Sequence, residues 1–223
     1  MRIDRVTDPD EARQIHQELI DVSFPPDEKS SADVFVDAVI SGSTLLYGAR
    51  HEGRWAGEVS LEVHDEKDLA LISWLSTSEH ARGHGLGGKL LQTAIDEGTK
   101  LGAKWLIGEI ENPATPPTSV AHGAPAARSL FYARRGAKAL MLDYLQPPIE
   151  PGKNAMDMLL IVFSQQPLPA ALPAKPLSRF LKDYVGGYEP TWNRLEAGLR
   201  GDEVELVDLD QDAFDKSRLA SRK

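Results

Sequence analysis

The stretch 82-RGHGLGGKLL-91 packs four glycines into ten residues, between an apolar run that reads as a strand (69-LALISWL-75) and an amphipathic helical pattern. Glycines at such a junction let the main chain approach an anion closely, and a helix start aims its free N–H groups at it. Three phosphate-binding patterns overlap here. Gly83 to Leu90 follows G-x-x-x-x-G-K-[ST] up to its last position, Gly83 to Gly88 follows G-x-G-x-x-G, and Arg82 to Gly87 follows [QR]-x-x-G-x-[GA]. The first fails on chemistry, because the hydroxyl that would hold magnesium is replaced by Leu90, whose phase puts it among the apolar residues of the helix. The second needs a strand running almost directly into the first glycine and an acidic residue about 20 positions on for a ribose. Here 76-STSEHAR-82 intervenes, and the acidic position falls near Ala103.

The flanks decide between the remaining patterns. Upstream, Ile3 to Val6 reads as a strand, and 7-TDPDEARQIHQELIDVSF-24 as a helix capped by Thr7 or Asp8 with Pro9 in its first turn. A second, short helix in 30-SSADVFVDAVISG-42 ends at Gly42. Strands in 44-TLLYGAR-50, 54-RWAGEVSLEV-63 and 69-LALISWL-75 are joined by turns short enough for antiparallel hairpins, unlike the crossover helices of a doubly wound sheet. Downstream, Leu86, Leu90, Leu91, Ala94, Ile95 and Leu101 share one helix face, followed by a strand in 103-AKWLIGEI-110. The prolines of 112-NPATPPTSVAHGAP-125 make a loop, 125-PAARSLFYARRGA-137 makes a helix stopped at Gly136, and 138-KALMLDYL-145 and 155-AMDMLLIVF-163 make two more strands. The order is β-α-α-β-β-β-α-β-α-β-β.

From Gln165 the texture changes to a Pro/Ala connector, 165-QQPLPAALPAKP-176, and then to two short helical patterns split by Gly186 and Gly187. The expected organisation is a domain over 1–164 and a connector with a C-terminal helical arm over 165–223. Phe180, Leu181, Tyr184, Trp192 and Leu195 of that arm need a surface to dock on, either their own domain or a second subunit. The last residues, 212-DAFDKSRLASRK-223, are expected to fray.

The chain of 223 residues carries 25 Lys and Arg against 34 Asp and Glu, a net charge of −9, and no cysteine. A disulfide framework, a thiol nucleophile and a zinc–thiolate site are therefore excluded. Without a basic stripe, nucleic acid is not expected as a partner, whereas an acidic field favours a cationic ligand such as an amine. No apolar run approaches the ~20 residues of a membrane span and no secretory h-region opens the chain, so no membrane association and a cytoplasmic location are expected.

The Arg82–Gly87 pattern, together with 131-FYARRGA-137 and the order of elements from Ile3 to about Phe163, resembles the GNAT superfamily of N-acyltransferases. The resemblance implies an α/β (α+β) GNAT fold: a mixed central sheet with helices on both faces, here with a C-terminal arm. It implies acetyl-CoA as co-substrate, no metal, an amine acceptor and a homodimer. Pantetheine would pair with the backbone of Leu75, Ser76 and Thr77, and pyrophosphate would sit on the amides of Arg82, Gly83, His84, Gly85, Leu86, Gly87 and Gly88. Tyr132 takes the position of the acid that protonates the leaving thiolate. The general base is less defined, since the glutamate that many members place on the fourth strand has no counterpart in 69-LALISWLST-77. Glu111 and then Glu109 on the fifth strand are the first candidates, followed by Glu58 and Glu62 on the third. A second departure is Pro125, where the family often has an asparagine seven positions before the tyrosine. The missing carboxylate leaves open a ligand-sensing module without turnover, while Tyr132 favours an enzyme. His80 and His84 have metal-ligand spacing, but Gly83 between them argues against a rigid helical face. The acceptor pocket is expected between the first two helices, the 112–124 loop, in which His122 is read as solvated, and the segment from Tyr144 to Asn154.

Overall fold

A computed structural model describes residues 1–64, 66–111 and 124–209. The 112–123 loop with His122, and the terminal segment from 212, lie outside the described residues. The strands are β1 (Ile3–Val6), β2 (Thr44–His51), β3 (Arg54–Val63), β4 (Leu69–Thr77), β5 (Trp105–Glu111), β6 (Lys138–Leu140), β7 (Tyr144–Gln146), β8 (Met156–Phe163), β9 (Ala171–Pro173) and β10 (Glu203–Asp208). The helices are α1 (Pro9–Ile15), α2 (Asp21–Ser23), α3 (Ala32–Ser41), α4 (Leu86–Lys100), α5 (Pro125–Ala133), α6 (Ala174–Val185) and α7 (Glu189–Leu195). Among the described residues, no helix is long and apolar enough to cross a membrane.

The strands form one sheet in the order β1-β2-β3-β4-β5-β8-β6-β10-β9, with β7 also on β8. Every pairing is antiparallel except β4 with β5, which are joined by the crossover helix α4. Helices cover both faces. On one, Leu86, Leu90, Leu91, Ala94 and Ile95 of α4 pack with Val59, Leu61, Leu106 and Ile110 of the sheet, and Phe131 and Tyr132 of α5 pack against the same core. On the other, α1 and α3 cover β2 to β4, and α6 and α7 cover β5 and β8.

The entry to α1 follows from its sequence: the Asp8 carboxylate accepts from the N–H groups of Asp10 and Glu11 at 3.0 Å, with Pro9 in the first turn. The helix then widens into a π turn over His16–Ile20 that buries His16 and brings its Nε2 to 2.9 Å from the Ser30 carbonyl. The strand expected over 138–145 is broken in two. Between the pairs Ala139↔Ile161 and Tyr144↔Met158 it has two more residues than β8, and there β6 turns its other edge to β10, with Leu140 opposite Leu206.

The stretch after Gln165 is built into the sheet. Val204 and Leu206 are buried and Glu203 and Glu205 are exposed, the two-residue alternation that makes β10 a strand where only helical patterns were expected. Leu177, Phe180, Leu181 and Val185 give α6 its buried stripe, and Gly186 ends it at φ +61°. Arg194 fastens α7 to the sheet by pairing with Asp143 and Asp157.

Candidate active site

The site lies where β4 and β5 part. Their parallel ladder runs from Leu69↔Trp105 to Ile72↔Gly108 and stops. Directly beyond, Ser73 is an extra residue in β4 relative to β3, since Ser60 pairs with Trp74 and Leu61 with Ile72. Such a bulge bends its strand, here at the point where pairing with β5 ends. The cleft that opens is a cavity of about 390 Å³. Leu75, Ser76, Thr77, Arg82 and Gly87 line its β4 side, and Glu109, Glu111, Arg128 and Tyr132 line the other.

The glycine loop sits at its edge. Gly85 is the N-cap of α4 at φ +73°, a backbone conformation open to glycine without strain, and Gly83 is also left-handed at φ +81°. No side chain caps the helix, so its first N–H groups are available to an anion. The side chain of Leu86 turns into the core. His84 is exposed and holds the Arg82 carbonyl through Nδ1 at 3.0 Å, while His80 lies 3.3 Å from Ser78, so the two rings share no helical face. Arg135, which the sequence did not single out, lies over the first turn of α4. A Cβ on Gly88 would come within 2.9 Å of its guanidinium, which stacks 3.8 Å from the Phe131 ring centre.

The carboxylates expected as bases have different surroundings. Glu111 forms an ion pair with Arg128. Glu109 accepts from Tyr144, Gln146 and Tyr184; burial raises its pKa, and these donors hold it back. Glu58 is fully buried behind Ser76, whose hydroxyl donates to it at 2.9 Å. Burial pushes the Glu58 carboxyl up to about 8. Because that value lies above the one in the unfolded chain, its contribution to stability is complete below about pH 4.5 and is lost as pH rises towards 8. Glu58→Gln keeps an acceptor for Ser76. We expect it to raise the melting temperature by about 5 °C or more at pH 8.5, at ~2–4 °C per kcal/mol for a chain of this size, a gain that shrinks towards zero by pH 5 in a calorimetric series.

A residue of the 24–31 loop joins this group. Glu28 is 7% exposed, and its Oε1 has no hydrogen-bond partner among the described residues. Burial raises its pKa above the ordinary carboxylate range, with Arg128 opposing and Glu109 and Asp27 reinforcing the shift. The loop is held in place by two carbonyls and one carboxylate: Trp74 Nε1 donates to the Glu28 carbonyl at 3.0 Å, His16 Nε2 lies 2.9 Å from the Ser30 carbonyl, and the Asp27 carboxylate accepts from Asn154. Nothing in the sequence marks Glu28, because 25-PPDEKS-30 has neither periodicity nor a motif.

A second, larger cavity of about 1060 Å³ opens on the α1/α3 and α6 side of the sheet. Its walls include Phe35 of α3, Glu62 of β3, Trp74 of β4, the 146–153 segment and Asp183, Tyr184 and Tyr188 of the C-terminal stretch. The two cavities share Glu28 and Glu109, which line both.

Residues 12–116 match the sequence model of the acetyltransferase (GNAT) family. This segment is a GNAT acetyltransferase sequence. It holds β2 to β5 and the glycine loop, so the domain built on it is of the acyltransferase type. No curated protein matches the chain by sequence. Among solved structures, the fold is similar to a protein of Bacteroides thetaiotaomicron assigned to the GNAT family, at 21% identity and a TM-score of 0.65 over 85% of this chain and 100% of that one. It is also similar to an aminoglycoside 6'-N-acetyltransferase complexed with coenzyme A (13% identity, TM-score 0.55, 76% of this chain and 99% of that one). A third similar structure is a GNAT acetyltransferase of Elizabethkingia anophelis with acetyl-CoA bound (18% identity, TM-score 0.50, 73% and 97%). The matched segment holds both strands that border the cleft, β4 and β5, and the sheet built on it continues in this chain through β10.

Proposed function

We propose that this GNAT domain transfers an acetyl group from acetyl-CoA to a primary amine by direct attack. The observation that carries the reading is the junction at Glu28 and Glu109, where a cleft suited to the donor meets a cavity suited to an acceptor. In the donor cleft, the unpaired edge of β4 at Leu75–Thr77 offers main-chain groups to the pantetheine amides. The uncapped start of α4, with Arg82 and Arg135 beside it, offers N–H groups and positive charge to the pyrophosphate.

The chemistry requires two proton movements. An amine reaches the site as an ammonium ion and must lose a proton before its lone pair can attack the thioester carbon. Glu28 is the group we assign to that step: it lines both cavities and has a free oxygen, and its raised pKa improves it as a proton acceptor. The new C–N bond forms, the C–S bond breaks with its electron pair going to sulfur, Tyr132 protonates that sulfur, and the second N–H proton restores the Tyr132 hydroxyl. Tyr132 lines the donor cleft and is kept neutral by burial, which pushes its hydroxyl up to about 12, so it can donate to the leaving thiolate. Arg128 opposes that shift. The products are the amide, the CoA thiol and the proton released through Glu28.

Thiol release from acetyl-CoA across a panel of primary amines tests the reading. Tyr132→Phe is expected to lower kcat about 100-fold, within the range general acids contribute, and to leave the Kd for acetyl-CoA within about twofold. Binding of acetyl-CoA without turnover of any amine would instead support a ligand-sensing module.

A further inference from the structure

The larger cavity has more anionic groups than one amine needs. Glu28 and Glu109 stand at the junction with the donor cleft, and Glu62, Glu150 and Asp183 line the rest, against Lys153 and His64 as the basic residues of the described wall. Lys153 is committed, its Nζ donating to the Pro26 carbonyl at 2.8 Å. His64 is wedged between two of the acids, with Nδ1 2.8 Å from Asp183 and Nε2 3.7 Å from Glu62. Glu150 accepts from the backbone and hydroxyl of Ser31, and Glu62 from the Ser73 hydroxyl at 2.5 Å. Among the described residues, the buried carboxylate oxygen of these five that has no donor is Glu28 Oε1, on a residue more than nine-tenths buried at the junction itself. Buried polar atoms in folded proteins are partnered, so an oxygen left free at the meeting point of two cavities marks the place of a donor carried by a ligand.

The acids also form a chain. The charge of Glu109 raises the proton affinity of Glu28, and that of Glu62 raises the proton affinity of Glu109. His64 then links Glu62 to Asp183. Trp74, Tyr184 and Tyr188 also line this cavity, and aromatic faces accept both methylene groups and cations. The volume matches that of pockets that enclose drug-sized molecules, ~300–1,000 Å³, and far exceeds what one short alkylamine fills.

We propose that the acceptor is a small molecule carrying two or more ammonium groups, one delivered to Glu28 for acetylation and another held in the same cavity by Glu62 and Asp183. The proposal rests on the acetyl-transfer reading for its chemistry, but the binding it requires does not need the donor. A linear polyamine and a polyaminated sugar share the recognised feature, and they serve as separate arms of the test.

Calorimetric titrations of the full chain with spermidine, with kanamycin and with butylamine, each without acetyl-CoA, measure recognition directly. At least one of the two polycations is expected to bind tenfold or more tighter than butylamine, and which one does identifies the scaffold. In turnover assays, the ratio of kcat/KM for that polycation to kcat/KM for butylamine is expected to fall about tenfold in Glu62→Gln and again in Asp183→Asn, since part-exposed ion pairs contribute modestly and in parallel. Equal affinity for butylamine and both polycations, no detectable binding of either polycation, or a ratio unmoved by both variants would overturn the proposal. A separate titration with acetyl-CoA distinguishes failures: polycation binding without acetyl-CoA binding refutes the acetyl-transfer reading and leaves the cavity assignment standing.

Discussion

Gly87→Asp is expected to abolish measurable binding of acetyl-CoA while the protein stays folded. Gly87 lines the donor cleft in the first turn of α4, at a backbone angle that other residues adopt, and a Cβ there meets only the Phe131 ring at 3.4 Å and the Thr77 methyl at 3.8 Å. The substitution therefore places a carboxylate against the proposed pyrophosphate site at modest steric cost. At ~5 Å and an effective dielectric of ~20, one pair of like charges repels by roughly 3 kcal/mol, which is about 100-fold in affinity. A change at Gly85 would be harder to interpret, because its φ of +73° adds backbone strain to any electrostatic effect. Calorimetric titration with acetyl-CoA, beside circular dichroism, makes the measurement. Wild-type affinity in a folded Gly87→Asp protein would remove the glycine loop from the donor site, and with it the reading of the cleft.

Glu28→Gln is expected to reduce kcat/KM for the amine by about 100-fold or more at neutral pH, the contribution typical of a positioned general base. Its affinity for acetyl-CoA should stay within about twofold. The pH dependence follows from burial, which lifts the Glu28 pKa above the ordinary carboxylate range. A base must be ionised to accept a proton, so the wild-type rate rises as pH passes through that elevated value, and the variant loses this limb of the profile. Stability should move the opposite way. A buried carboxylate oxygen with no partner costs free energy, so the amide should leave the melting temperature unchanged or raise it. Loss of activity with gain of stability separates a catalytic Glu28 from a structural one; full activity in the variant would return Glu109 and Glu111 to consideration.

Much of the fold was legible in local sequence. Asp8 and Pro9 set the start of α1, Gly42 and Gly136 end helices, and the hairpins β2 to β4 follow from alternation and short turns. The glycine loop could be read as GNAT-like because rejecting the other two patterns needed only the identity of Leu90, the length of the strand-to-glycine link and the absence of an acidic residue near Ala103. The C-terminal stretch was legible only in part. Its helices have apolar stripes, but β9 is three residues long, and β10 becomes a strand through pairing with β6 and β9, partners that periodicity does not reveal.

The carboxylates show where sequence reading stops. Glu109 and Glu111 could be placed near the cleft because they end the fifth strand. That Arg128 pairs with one and that two tyrosines and Gln146 donate to the other depends on side chains 17 to 75 positions away. Glu28 could not be found at all, since its role comes from a loop pinned by Trp74, His16 and Asn154 over a junction formed by distant strands. By itself, the sequence determined most of the elements of the first 164 residues and singled out the glycine loop at the start of α4 and Tyr132, because capping, periodicity and glycine-rich helix starts are local properties of the chain. Only the tertiary structure decided which carboxylate is free and which cavity it faces, because burial and pairing are set by residues that meet only when the sheet is assembled.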